Sequence, residues 1–79
     1  MEIDKDKIDE AVLALLHLTT FEDGPGLHAW KGHNWDSLDR LHEKGLISNP
    51  KSKAKSVVFS EVGAKLSEEL FRKMFGKEN

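Results

Sequence analysis

The sequence predicts a mainly α fold of the α+β class, with three main helices and a two-stranded antiparallel β-wing. Three observations point there. Residues 5–20 and 61–75 place apolar side chains at helical spacing behind capping residues. Residues 35–44 form a short amphipathic stretch that runs into Gly45. Two short apolar runs, Leu46-Ile47-Ser48 and Ser56-Val57-Val58-Phe59, flank the lysine-dotted turn of residues 49–55. The expected order is helix, strand, wing, strand, helix.

The first helix is expected from Lys5 to Thr19 or Thr20, capped by Asp4, with Asp6, Asp9 and Glu10 toward the positive end of its dipole. Ile8, Ala11, Val12, Leu15 and Leu16 make its apolar face, widened by Leu13 and Leu18. Residues 21–34 read as a loop with room for one helical turn, because Gly24-Pro25-Gly26 must end any helix. Asn34 caps the second helix, expected over residues 35–45 with Trp35, Leu38, Leu41 and His42 inward. Asp36, Ser37, Asp39, Arg40 and Glu43 are expected to face out. Residues 46–60 form the β-hairpin wing, and Ser60 caps the last helix, residues 61–75. Its rows, Val62-Leu66-Leu70-Met74 and Phe71-Phe75, exceed what packing on a small domain needs. Leu66, Leu70, Phe71, Met74 and Phe75 are therefore a candidate partner or homodimer interface.

A chain of 79 residues makes one domain, 1–79. It buries roughly 60–65% of the surface its unfolded form exposes, so a partner chain would help it. Its 38% hydrophobic and 33% charged content belongs to a soluble globular protein. The longest apolar run, residues 11–16, is too short to span a membrane, and the acidic N-terminus lacks a signal-peptide apolar region. Cysteine is absent, which excludes disulfides, Cys-based zinc sites and thiol catalysis and fits a cytoplasmic protein.

The net charge of −2 is unevenly spread. Residues 1–24 balance at −5, residues 25–58 at +3, and residues 59–79 are neutral. The net charge argues against a strongly phosphate-driven binder, and the bases of the one positive region concentrate at Lys51, Lys53 and Lys55.

Other constellations are weaker. His28, His33 and His42 could converge beside Asp36, but their spacing matches no compact zinc motif, so they are expected to be structural, with no metal and no cofactor. No serine sits in a Gly-x-Ser-x-Gly elbow and no glycine-rich loop carries a P-loop lysine, so the chain is not expected to be an enzyme. Trp30 and Trp35 admit two readings. They plug a gap in the core, which the area needs of a small core favour, or they stand out to stack bases or anchor a protein.

The string Leu38-x-x-Leu41-x-x-x-Gly45-Leu46-Ile47, a basic turn, then Val57-x-Phe59-Ser60-x-x-Gly63 resembles the second half of a winged helix, as in MarR-like and PadR-like regulators. The whole chain also resembles a family of small bacterial proteins of unknown function. The likeness is carried by Ile8-Asp9-Glu10-Ala11-Val12-Leu13-Ala14-Leu15-Leu16, Ala29-Trp30-Lys31-Gly32, Trp35-Asp36-x-Leu38-Asp39-Arg40-Leu41-His42-Glu43-Lys44-Gly45 and Lys53-Ala54-Lys55-Ser56-Val57-Val58. The first resemblance implies a winged-helix-like, helix-turn-helix type of fold and a DNA-binding or transcription-associated role. The residues it maps to duplex DNA are Lys51, Lys53, Lys55, Arg40, Ser37 and Lys31.

The charge of the second helix bears on that mapping. Asp36, Asp39 and Glu43 share its outer face with Arg40, and carboxylates repel phosphate. Effective phosphate-driven binding uses roughly 6–10 contacts, more than one protomer supplies. A protein-interaction module that retains the fold without binding DNA is the alternative. A continuous positive stripe joining wing and helix fits DNA; an isolated basic wing beside an acidic helix fits a protein partner.

Overall fold

The computed structural model describes residues 1–24 and 26–77. In chain order the elements are α1 (Lys5–Leu18), β1 (Thr20–Asp23), β2 (Gly26–Trp30), α2 (Trp35–Glu43), β3 (Ser56–Val58) and α3 (Glu61–Phe75). The class is α+β, with three helices and one antiparallel sheet in the order β1-β2-β3.

The strand count corrects the two-stranded expectation. The segment read as a loop carries β1 and β2, paired from Thr20↔Ala29 to Asp23↔Gly26, with Gly24 at φ +67 in the turn. A left-handed turn residue suits glycine, which has no Cβ to clash. β2 then takes β3 as its other neighbour, through His28↔Val58, Ala29↔Val57 and Trp30↔Ser56. The expected pairing of residues 46–48 with residues 56–59 contracts to one bridge, Ile47↔Phe59. It is buttressed by Ser48 N–H donating to the Val58 carbonyl (2.8 Å) and Val58 N–H donating to Ser48 Oγ (2.9 Å). Residues 51–55 between them are exposed, as a polar turn should be.

The helix ends follow the capping chemistry. Asp4, Asn34 and Ser60 each accept a backbone N–H three residues on, from Lys7, Ser37 and Gly63. α2 closes with Gly45 at φ +76. Gly45 N–H donates to the His42 carbonyl (2.9 Å) and Leu46 N–H to the Leu41 carbonyl (3.0 Å), the paired bonds of a Schellman end. Ser60 Oγ donates to the Gly45 carbonyl at 2.7 Å, so one hydroxyl ties the end of α2 to the start of α3. Gly63 is needed beside this junction: a Cβ there would lie 1.9 Å from the Leu46 carbonyl oxygen.

Val12, Leu13, Leu16, Leu38, Leu41, Ile47, Val57 and Phe59 form the centre of the core, with Ala29 and Leu70 closing it. α1 is the axis: α2, α3 and β2 all pack on it. Ala29 and Val57 face this core and are fully buried. The register puts Phe21, His28, Trp30 and Val58 on the opposite face of the sheet. The molecule measures 35 × 34 × 19 Å, thin enough that this second sheet face is a surface. Among the described residues, no helix is long and apolar enough to cross a membrane.

α2 is rotated from its expected orientation. Ser37, Leu38 and Leu41 are buried, whereas Trp35 and His42 are exposed. The cause is on α1, where Asp9 lies in the row of Leu13 and Leu16 and is 1% exposed. A buried carboxylate needs a cation, and it draws the Arg40 side of α2 inward.

Candidate functional site

The positively charged candidates divide into those that hold the fold and those that face water. Arg40 belongs to the first group. Its Nε donates to Asp9 Oδ2 at 2.7 Å and its Nη2 to Asp9 Oδ1 at 2.8 Å, a bidentate fork. Nη2 also donates to Ser37 Oγ at 3.3 Å, and Ser37 is fully buried. Lys44 completes the cluster, 3.2 Å from Asp6 and 3.4 Å from Asp9. Burial pushes the Asp9 carboxyl up, but the Arg40 hydrogen bonds and charge, with those of Lys44, outweigh it and hold Asp9 below the usual carboxylate value. The Asp9 hydrogen bond raises Arg40, and the Asp6 hydrogen bond raises Lys44.

Lys31 is also engaged. Its Nζ donates to the carbonyls of Pro50 and Ser52, both at 2.7 Å, and stands 5.9 Å from the centroid of the Trp35 ring. Its backbone N–H donates to the Lys55 carbonyl at 3.3 Å. Lys31 thus anchors the loop that carries Lys51, Lys53 and Lys55. Those three are exposed, and among the described residues none has a carboxylate partner.

The tryptophans are outside. Trp30 is 53% and Trp35 57% exposed, so neither plugs the core. Trp30 stacks on Phe21 (centroids 4.8 Å apart, 30° between planes), and Phe21 stacks in turn on His28 (5.4 Å, 20°). The cross-strand register explains this run: Phe21 and His28 are directly opposed, and Trp30 lies two residues along β2. The segment expected to be a loop with one helical turn forms the β1–β2 hairpin instead.

The candidate interface on α3 is split in the same way. Leu70 is buried in the core, and Leu66 and Phe71 are half-buried against it. Only Met74 and Phe75 of that set are exposed, with Phe75 5.5 Å from Phe71 and Phe71 5.1 Å from His17.

The histidines have structural surroundings. His42 Nδ1 lies 3.0 Å from the Ile47 carbonyl oxygen. His33 is half-buried, and burial pushes its pKa down. Among the described residues, no three His, Asp or Glu side chains gather as a metal ion would require.

Asp9 is the site residue that sequence reasoning missed. Its signal is position: a carboxylate four residues before Leu13 and seven before Leu16 shares their helix face and cannot be left unpaired there.

A family model described as a domain of unknown function (DUF6429) matches residues 4–77. The chain is also 56% identical over 75 residues to the uncharacterized protein y4hR of the bacterium Sinorhizobium fredii (strain NGR234), covering 95% of this chain and 97% of that protein. No solved structure matches it.

Proposed function

We propose a binding, non-catalytic role for this chain, which belongs to the family of the domain of unknown function DUF6429. The role is protein–protein interaction on a winged-helix-like frame, without duplex DNA recognition. The strand order β2-β3, with Ile47 bridged to the far side of the returning strand, supports the winged-helix-like frame. The observation that carries the functional reading is the Trp30 and Trp35 pair, half-exposed yet held in place by Phe21 and Lys31. Large aromatic side chains fixed before association are the residues that anchor protein interfaces, since little rotamer freedom is lost on binding.

Charge supports the same choice. With Arg40 folded onto Asp9, α2 offers solvent Asp36, Asp39 and Glu43, and the basic loop stands alone. A duplex laid along α2 would meet three carboxylates and gain about three phosphate contacts from the loop, below the roughly 6–10 of effective binders.

Two measurements on the purified chain test this reading. Quantitative affinity capture with the wild-type chain should return proteins that the Trp30→Ala/Trp35→Ala variant does not. Fluorescence anisotropy with random duplex DNA at about 0.15 M salt should show no binding. The reading fails if duplex affinity is high, falls steeply with salt, and disappears when Lys51, Lys53 and Lys55 are replaced by alanine.

A further inference from the structure

We infer that the segment docking on this face is acidic and apolar, a short polypeptide stretch whose hydrophobic side chains lie on Trp30 and Trp35 and whose carboxylates meet Lys51, Lys53 and Lys55. The inference rests on the protein-docking reading above and adds the chemistry of the partner.

Lys31 creates the juxtaposition. Its ammonium grips the carbonyls of Pro50 and Ser52, one on each side of Lys51, while standing 5.9 Å from the Trp35 ring centroid. Its backbone N–H reaches the Lys55 carbonyl, and the preceding residue, Trp30, is paired with Ser56. Lys31 therefore holds Trp35 beside the loop that bears the three lysines, while strand pairing sets the Trp30 backbone beside the end of that loop.

The charges then select the partner. Lys44 and Arg40 are neutralised by Asp6 and Asp9, whereas Lys51, Lys53 and Lys55 have no carboxylate partner among the described residues. Three exposed lysines without a carboxylate partner among the described residues thus share the loop that Lys31 holds beside Trp35, and complementary potential favours carboxylates there. A single-stranded nucleic acid fits less well. Phe21 stacks on one face of Trp30 and the Lys31 ammonium lies over Trp35, so each ring has one face left for a base and neither can be sandwiched. A longer polyanion would also run into Asp36 and Asp39 on α2.

Trp30 and Trp35 are the chain's two tryptophans, so intrinsic emission reads this site alone. The experiment titrates the full chain with a short acetylated, amidated peptide of alternating glutamate and leucine. The lysine–leucine counterpart and oligo(dT) serve as comparators. The expected result is a saturable emission change with the acidic peptide, weakened by at least about tenfold in the Lys51→Glu/Lys53→Glu/Lys55→Glu variant. That variant should gain the lysine–leucine peptide while keeping the wild-type melting curve. Equal affinity for both peptides, no saturable change with the acidic one, or tighter binding of oligo(dT) overturns the inference. Trp-dependent protein capture that is indifferent to lysine reversal would remove the acidic chemistry and leave docking standing; absence of any Trp-dependent capture would remove docking itself.

Discussion

The guanidinium of Arg40 grips both carboxylate oxygens of Asp9, at 2.7 and 2.8 Å, across 31 residues of chain. This one pair orients α2 on α1, turns the Arg40 guanidinium onto Asp9 and leaves the outer face of α2 acidic. Breaking it exposes a charge with nowhere to go, since a buried carboxylate that loses its partner is strongly destabilising.

The pair makes stability depend on acid. Asp9 titrates below its ordinary value of 3.8 in the folded chain. Its contribution is complete above that value and is lost as the pH falls below it through the depressed native pKa, because the unfolded chain takes up the proton first. Urea unfolding at neutral pH and near pH 3 should show a larger drop for the wild type than for Asp9→Asn, which starts less stable. Parallel drops would mean that Asp9 is not held below its ordinary range.

Lys31→Ala is expected to loosen the basic loop and free the Trp35 ring. The protein should melt earlier, and its tryptophan emission should change without any ligand present. Lys53→Ala, at a side chain with no partner among the described residues, should leave both unchanged, within about 0.5 kcal/mol of wild type.

Gly63→Ala should destabilise the chain by about 1–3 kcal/mol in chemical denaturation, the ordinary cost of overpacking, because the new methyl collides with the Leu46 carbonyl. Gly32→Ala is the control, since a Cβ there meets nothing within 4 Å. Its unfolding midpoint should stay near that of the wild type.

On α3, Leu70→Asp buries a carboxylate in the core and should abolish folding, while Phe75→Asp should keep the melting curve. If copies of the chain associate through the C-terminal end of α3, Phe75→Asp will also shift the sedimentation profile toward monomer, because Met74 and Phe75 are exposed there. An unchanged profile removes the C-terminal end of α3 as the contact.

The helices were legible because their signals are local. Asp4, Asn34 and Ser60 announce their caps, and Gly45 announces the end of α2. The hairpin β1–β2 was not read, though Gly24-Pro25-Gly26 stands between two short runs. Those runs dilute their strand formers, Thr20, Phe21 and Trp30, with Glu22, Asp23, Gly26 and Ala29, and lack the β-branched pair that advertises the returning strand at Val57 and Val58. Its strands form because β3 supplies a neighbour far along the chain, as in the pair Trp30↔Ser56, a fact no window of local sequence contains. The candidate site was legible at Lys51, Lys53 and Lys55, whose surroundings are too polar to pack. It was misjudged at Trp35 and Ser37, because Asp9 turns α2 about its axis and the two exchange places.

Chemical denaturation of Trp30→Ala and Trp35→Ala tests the central claim most directly, since it asks whether these side chains serve the fold or face a partner. Both are more than half exposed, at 53% and 57%, so each truncation should cost about 1 kcal/mol and leave a cooperative transition. A loss of about 3–5 kcal/mol at either position, the cost of removing a tryptophan from a packed core, would contradict the account.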